Sequence, residues 1–238
     1  MSTGSALTTK RDPETGRITV RSEGFFIGAD FGKRQDYSAV ILEEKVRLID
    51  QLDGRGQPEV RYYVRDGWRY PLETDYEAIV DDIVGHLDNR ALWTEGRALS
   101  GQTYCEKPKL VMDAGGPGEA IYESFLRKGN ERRSLYLLGI TGATSEGRVG
   151  NKFTAGRGSI LHQLQVDAQM GILKIASGIA ILTTLQQELH NIQPRHSENP
   201  GLLTYEQKRQ SVHDDVAMAA ATCHWLARRK GASQGYSF

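Results

Sequence analysis

The chain has only two cysteines, Cys105 and Cys223, and no surplus of either charge: Lys and Arg total 30, as do Asp and Glu. Two cysteines make no disulfide framework and stand at no metal-binding spacing, so they read as packing residues of a chain from a reducing cytosol. A net charge of zero excludes a protein that coats nucleic acid by bulk charge, although not one with a local basic site. Apolar runs long enough to cross a bilayer are missing. The opening MSTGSALTTKRDPETGR lacks the apolar core of a signal peptide. A soluble cytoplasmic protein with no membrane partner is therefore expected. No G-x-x-x-x-G-K-[ST] phosphate loop occurs, since AGGPGEA has the wrong spacing and no lysine. No internal repeat is visible.

What is present is a length of 238 residues, enough for one full core, and charge that is unevenly spread. Glu73 to Glu95 is acidic, with Arg90 the lone Lys or Arg; Arg127 to Arg157 is basic, broken only by Glu131 and Glu146. Such a basic stretch is ordinarily a solvated face and otherwise a nucleic-acid contact.

Strand patterns cover Phe25–Asp30, Tyr37–Glu44 and the alternating Val60–Trp68 stretch. Thr74 has the look of an N-cap, with Glu77 completing a capping box, for a helix from Asp75 to about Leu87. Asn89–Cys105 is less regular. Then come a strand over Lys109–Asp113, a helix from Glu119 to Lys128, and a strand over Leu135–Ile140. TGATSEGRVGNKFTAGRGS is expected to be a long, functional or mobile loop. Ser159–Gln169 reads as helix, Ile172–Ala176 as strand, Ile179–Ile192 as helix and PGLLTYE as an edge strand. A helix from about His213 to Arg229 comes last. The order predicts an α/β fold, a mixed sheet with helices on both faces. The expected division is a flexible segment over 1–22, one domain over 23–230 and a short tail over 231–238.

Three carboxylate positions stand out. Asp30 ends the first strand and Asp113, in LVMDAGGPG, ends a later one; Asp214 and Asp215 open the last helix. Sites in such sheets form beyond the carboxyl ends of strands. Each has an ordinary structural reading: a turn for Asp30, a cap across the glycines for Asp113, an N-cap for Asp214 or Asp215. Together, clustered carboxylates repel one another and raise each other's pKa unless a cation sits among them. Oxygen ligands without His or Cys suit Mg²⁺ or Mn²⁺, and two such ions suit phosphoryl transfer. The alanines of DDVAMAAATCHWLA permit close approach of the last helix to the sheet, besides favouring helix as such.

GADFGKRQDYSAVIL, LVMDAGGPGEAIYESFLRKG, LLGITGATSEG, SILHQLQVDAQMGILKIA, LQQELHNI and HDDVAMAAATCHWLA together resemble, in order and spacing, the nuclease domain of tailed-phage terminase large subunits. The resemblance runs from about Gly24 to Arg229. It implies a ribonuclease H-like fold, shared with RuvC-type Holliday-junction resolvases. It also implies a metal-dependent endonuclease that cuts concatemeric double-stranded viral DNA during packaging, in the host cytoplasm. By that resemblance Asp30, Asp113 and Asp214 or Asp215 would hold two Mg²⁺ or Mn²⁺ ions. His213 would orient a water or contact a phosphate, or simply enter the helix, and Asp36 would brace the hairpin. Arg148, Lys152 and Arg157 are the expected phosphate contacts. The family context supplies a packaging ATPase domain, a small terminase subunit and a portal as partners. With no phosphate loop, this chain is expected not to drive translocation alone. The alternatives are a resolvase, an actin-like nucleotide-binding protein, and a catalytically silent packaging module.

Overall fold

The computed structural model describes residues 10–32, 36–97, 102–129, 134–142, 145–196, 203–207 and 213–229. The 231–238 tail lies outside them. The first part of the chain gives β1 (Lys10–Arg11), β2 (Ile18–Asp30), β3 (Ala39–Leu52), β4 (Pro58–Arg69) and α1 (Tyr76–Asp88). Next are β5 (Thr94–Arg97), β6 (Thr103–Glu106), β7 (Lys109–Asp113), α2 (Gly118–Arg127), β8 (Leu135–Thr141), β9 (Gly147–Val149) and β10 (Lys152–Gly156). The rest is α3 (Arg157–Gln169), β11 (Leu173–Ile175), α4 (Leu182–Asn191), β12 (Ile192–His196), β13 (Leu203–Gln207) and α5 (Asp215–Arg228).

One large sheet runs in the order β11-β4-β3-β2-β7-β8-β10-β9, with β1 beside β2. β2, β3 and β4 form an antiparallel meander; β7 then pairs parallel to β2, β8 parallel to β7 and β10 parallel to β8. This is the expected ribonuclease H-like mixed sheet, three antiparallel strands continued by parallel ones. Alternation along β2 divides the core. Phe26 packs with α3, α4 and α5 on one face, whereas Ile27 and Ala29 pack with α1 and α2 on the other. Helices cover both faces, as the element order implied.

Helix α5 is the centre of the first face, buried from Asp215 through Ala227. A helix apolar all round belongs inside a core, and small side chains let its backbone come close. A Cβ on Gly28 would collide with the Ala219 carbonyl and with Cys223, and Cys223 Sγ donates to the Phe26 carbonyl at 3.4 Å.

Four expectations need correction. The first strand begins at Ile18, not Phe25, because its early part pairs with β3 through Val20 and Leu48. Thr74 is not the cap of α1: its hydroxyl donates to the Pro71 carbonyl at 2.6 Å, and Asp75 caps instead by accepting from Glu77 N–H. Asn89–Cys105 is more regular than expected: β5 and β6, the latter ending at Glu106, pair antiparallel. The long loop is largely the hairpin β9–β10, turned at Gly150 with φ of 61°. Phe153 and Ala155 are buried while Lys152 and Thr154 are exposed, so an alternating signal was present in KFTA.

Candidate metal centre

Strand pairing places the first two carboxylates side by side. Gly28 sits opposite Val111 and Ala29 opposite Met112, so Asp30 and Asp113 follow as neighbours at the strand ends. Val111 belongs to the α5 face, which puts both carboxylates on that face. α5 delivers the third. Its contacts run antiparallel to β2, Cys223 against Phe26 and Ala219 against Gly28. One helical turn back from Ala219 is Asp215, about 6 Å along the axis. Two residues on from Gly28 is Asp30, about 6.6 Å along the strand. The two advances match, and Asp215 arrives level with Asp30.

The charges of these groups bear on one another. Burial drives the Asp30 carboxyl well above the ordinary carboxylate range, reinforced by the charges of Asp113, Asp215 and Asp214 and opposed by Arg157. Burial also raises Asp113, against N–H groups of Gly115, Ile140 and Ala114 that pull it down. Asp215 is pushed up to about 6, chiefly by burial and further by Asp214 and Asp36, with His213 and Arg69 opposing. The Oδ2 atom of Asp215 is buried and has no hydrogen-bond partner among the described residues.

The ordinary readings fare differently. Among the described residues Asp30 makes no turn bond; Gly32 N–H donates to Ser38 Oγ at 3.2 Å. Asp113 does organise the following turn, accepting from Gly115 N–H at 2.9 Å, while α2 starts without a side-chain cap. Asp214 stands at the N-cap position of α5 but makes no capping bond, its carboxylate being ion-paired to Arg157. Nδ1 of His213 lies 3.8 Å from Asp215 and 3.9 Å from Asp36.

The expected basic residues separate. Arg157, first residue of α3, is inside the acidic centre. Lys152 points to the opposite sheet face, paired with Glu119 of α2 at 2.7 Å. Arg148 donates to the Gly150 carbonyl at 3.0 Å and lies over the Phe153 ring at 4.9 Å.

Two residues at the site escaped sequence reasoning. Glu188, on α4, caps α5 with Oε2, which accepts from Ala217 N–H at 2.8 Å. Burial pushes it up to about 7, with the Ala217 N–H opposing and the Asp215 charge adding to the rise. Arg69, at the end of β4, lies 3.6 Å from Glu188 Oε1 and stacks on the Tyr37 ring at 4.3 Å. Glu188 sits in a helical pattern among polar neighbours, and nothing local distinguishes it; Arg69 is one arginine of a charged strand.

All of these donors are hard oxygens, the set that suits Mg²⁺ or Mn²⁺. A buried carboxylate oxygen with no hydrogen bond among the described residues, beside two further destabilised carboxylates, fits a divalent cation in chemistry. Among the described residues no three His, Cys, Asp or Glu side chains stand at the spacing that would close around one ion. No helix among them is long and apolar enough to cross a membrane.

The fold and this row of carboxylates define a ribonuclease H-like domain with an acidic centre at its strand ends. No protein-family model and no curated protein matches the sequence. Among solved structures the chain is similar to the large terminase nuclease of thermophilic phage G20c: 18% identity, 92% of this chain and 91% of that one covered, TM-score 0.48. It is also similar to the nuclease domain of the large terminase g2p of bacteriophage SPP1, solved with bound Mn: 14% identity, 83% and 84% covered, TM-score 0.44.

Proposed function

We propose that the protein is a metal-dependent endonuclease acting on double-stranded DNA, and that its role is cutting viral DNA during genome packaging. The observation that carries the metal is the buried Oδ2 of Asp215, which has no hydrogen bond among the described residues, beside the destabilised Asp30 and Asp113. Clustered, buried carboxylates disfavour one another's charge, and a cation among them relieves that repulsion. The packaging role rests on the motif resemblance.

In this reading Asp30, Asp113 and Asp215 hold the cations, two Mg²⁺ or Mn²⁺ ions. Bound there, the ions supply Lewis-acid activation of a water and stabilisation of the departing 3′ oxygen. Asp30 is central, between its strand neighbour and the helix. Asp214, occupied by Arg157, anchors α3 to α5 and stands outside the ligand set. His213, 3.8 Å from Asp215, orients a water or contacts a phosphate. Arg157, with Arg148 further out on the same face, meets backbone phosphates, while Lys152 on the other face stands apart, so cleavage has little sequence preference and strong salt dependence.

A plasmid-nicking assay with Mn²⁺, Mg²⁺ or EDTA tests the proposal on wild type and Asp30→Asn. Metal-dependent nicking that disappears in the variant is expected. Nicking that survives Asp30→Asn places the chemistry elsewhere. No nicking with any ion, in a folded protein, favours a silent packaging module.

A further inference from the structure

Pairing across the sheet end aligns four residues of neighbouring strands on the α5 face. Asp30 sits opposite Ala39 and Ala39 opposite Arg69, while Asp113 flanks Asp30 on its other side. The row reads Asp113, Asp30, Ala39, Arg69. Arg69 is two strand spacings from Asp30, on the order of 10 Å. The residue between them is only a methyl group in size.

Arg69 is held without being consumed. Its guanidinium stacks on Tyr37 at 4.3 Å, and the edge of the His213 ring closes on Tyr37 with centroids 5.1 Å apart. His213 in turn reaches Asp215. Glu188 Oε1 is 3.6 Å from Arg69, close enough for charge attraction but too long for a hydrogen bond. The stack fixes the plane of the guanidinium, the carboxylate fixes its position, and among the described residues its N–H groups make no hydrogen bond. The Arg69 side chain keeps 32% of its surface in solvent, against 2% for Glu188. By contrast, Arg157 is paired to Asp214 and Lys152 to Glu119. A centre this acidic repels a polyanion unless a cation stands at its rim.

We infer that Arg69 is a substrate-positioning residue that grips a backbone phosphate of the DNA strand beside the one being cut. Tyr37 and Glu188 serve as its mount. A planar, pre-oriented guanidinium binds phosphate oxygens in bidentate fashion, and a lysine reproduces the charge but not the fork. The inference rests on the nuclease reading.

The test separates the two. Duplex DNA binding by the full chain is measured by fluorescence anisotropy over a salt series, in the non-cutting Asp30→Asn background, with and without Arg69→Ala or Arg69→Gln. Loss of one phosphate contact lowers the slope of log K against log salt by about 0.9 and weakens binding several-fold. Arg69→Lys restores most of the slope. In the Asp30 protein, Arg69→Gln raises KM for nicking with little change in kcat, a split that a purely structural role would not produce. Thermal melts exclude unfolding, and the glutamine variant serves if alanine destabilises. A wild type that binds and nicks, with unchanged slope and KM in folded Arg69→Gln, overturns this inference alone. A wild type that neither binds nor nicks DNA overturns it together with the nuclease reading.

Discussion

Gly28 of β2 lies against the backbone carbonyl of Ala219 in α5, with no room for a Cβ between them. This contact sets how closely the last helix rides on the sheet, and hence where Asp215 meets Asp30. Gly28→Ala is expected to cost about 1–3 kcal/mol, the usual penalty of overpacking, and to depress metal-dependent nicking more than thermal stability alone accounts for. Urea melts paired with the nicking assay check this; an unchanged midpoint would show that the helix has slack.

Metal binding should separate the two adjacent aspartates. On the proposed reading, Mn²⁺ should raise the melting temperature of wild type by binding the folded state alone. It should do so for Asp214→Asn, which loses only the Arg157 pair, and fail for Asp215→Asn. The reverse pattern would assign the ligand to Asp214.

Without metal, the centre should weaken the fold. The folded-state pKa of Asp30 is raised, so its contribution to stability is full below the ordinary value of 3.8 and is lost as pH rises toward the folded value. In EDTA at pH 8, Asp30→Asn is therefore expected to melt higher than wild type, a gain reversed by saturating Mn²⁺. Equal melting temperatures in EDTA would mean that the charges do not strain one another.

Asp113 has two tasks that substitution can part. Asparagine keeps an acceptor for Gly115 N–H, so Asp113→Asn should hold stability within about 1 kcal/mol while abolishing nicking. Retained nicking would leave Asp113 a turn residue only.

The far end of α5 carries a pH signature of its own. His224, fully buried, contacts Glu43 at 3.0 Å and Asp167 at 2.7 Å, and Arg228 joins Asp167 at 2.5 Å. Burial pulls the imidazole down, but the Glu43 charge and the bonds to Asp167 and Glu43 prevail and raise it from 6.5 to about 9. The stabilisation is complete below 6.5 and vanishes as pH rises through about 9. A rise of that size corresponds to on the order of 3 kcal/mol. Urea unfolding from pH 6 to 10 should show that loss in wild type, whereas His224→Gln should lack the fall near pH 9 and keep only the decline near pH 6 to 7 that Asp215 and Glu188 cause.

Much of this was legible in the residues, and the reasons for the rest are local. Asp30, Asp113 and the Asp214–Asp215 pair were visible because a carboxylate at a strand end or helix start breaks an apolar pattern. Which of the pair turns inward was not, since that depends on Arg157 arriving from α3. The KFTA alternation was masked by the glycines around it, which read as loop. Thr74 lost its capping place to Asp75 because its hydroxyl is spent on Pro71, a bond that spacing cannot reveal. Glu188 and Arg69 gain their importance only from the end-to-end meeting of α4, α5 and β4.

α5 is a smooth rod. Its middle offers alanines to the sheet, with few side chains to interlock, so sliding along β2 is resisted there by the Cys223–Phe26 contact and otherwise where the ends are tied. Glu188 grips the amino end, and the His224, Glu43 and Asp167 cluster grips the other. A slip of a single turn would carry Asp215 about 5.4 Å off Asp30, and the centre would come apart with the fold intact. The distant histidine is thus a brake on the register of the acidic row, and damage there would be felt first as lost chemistry.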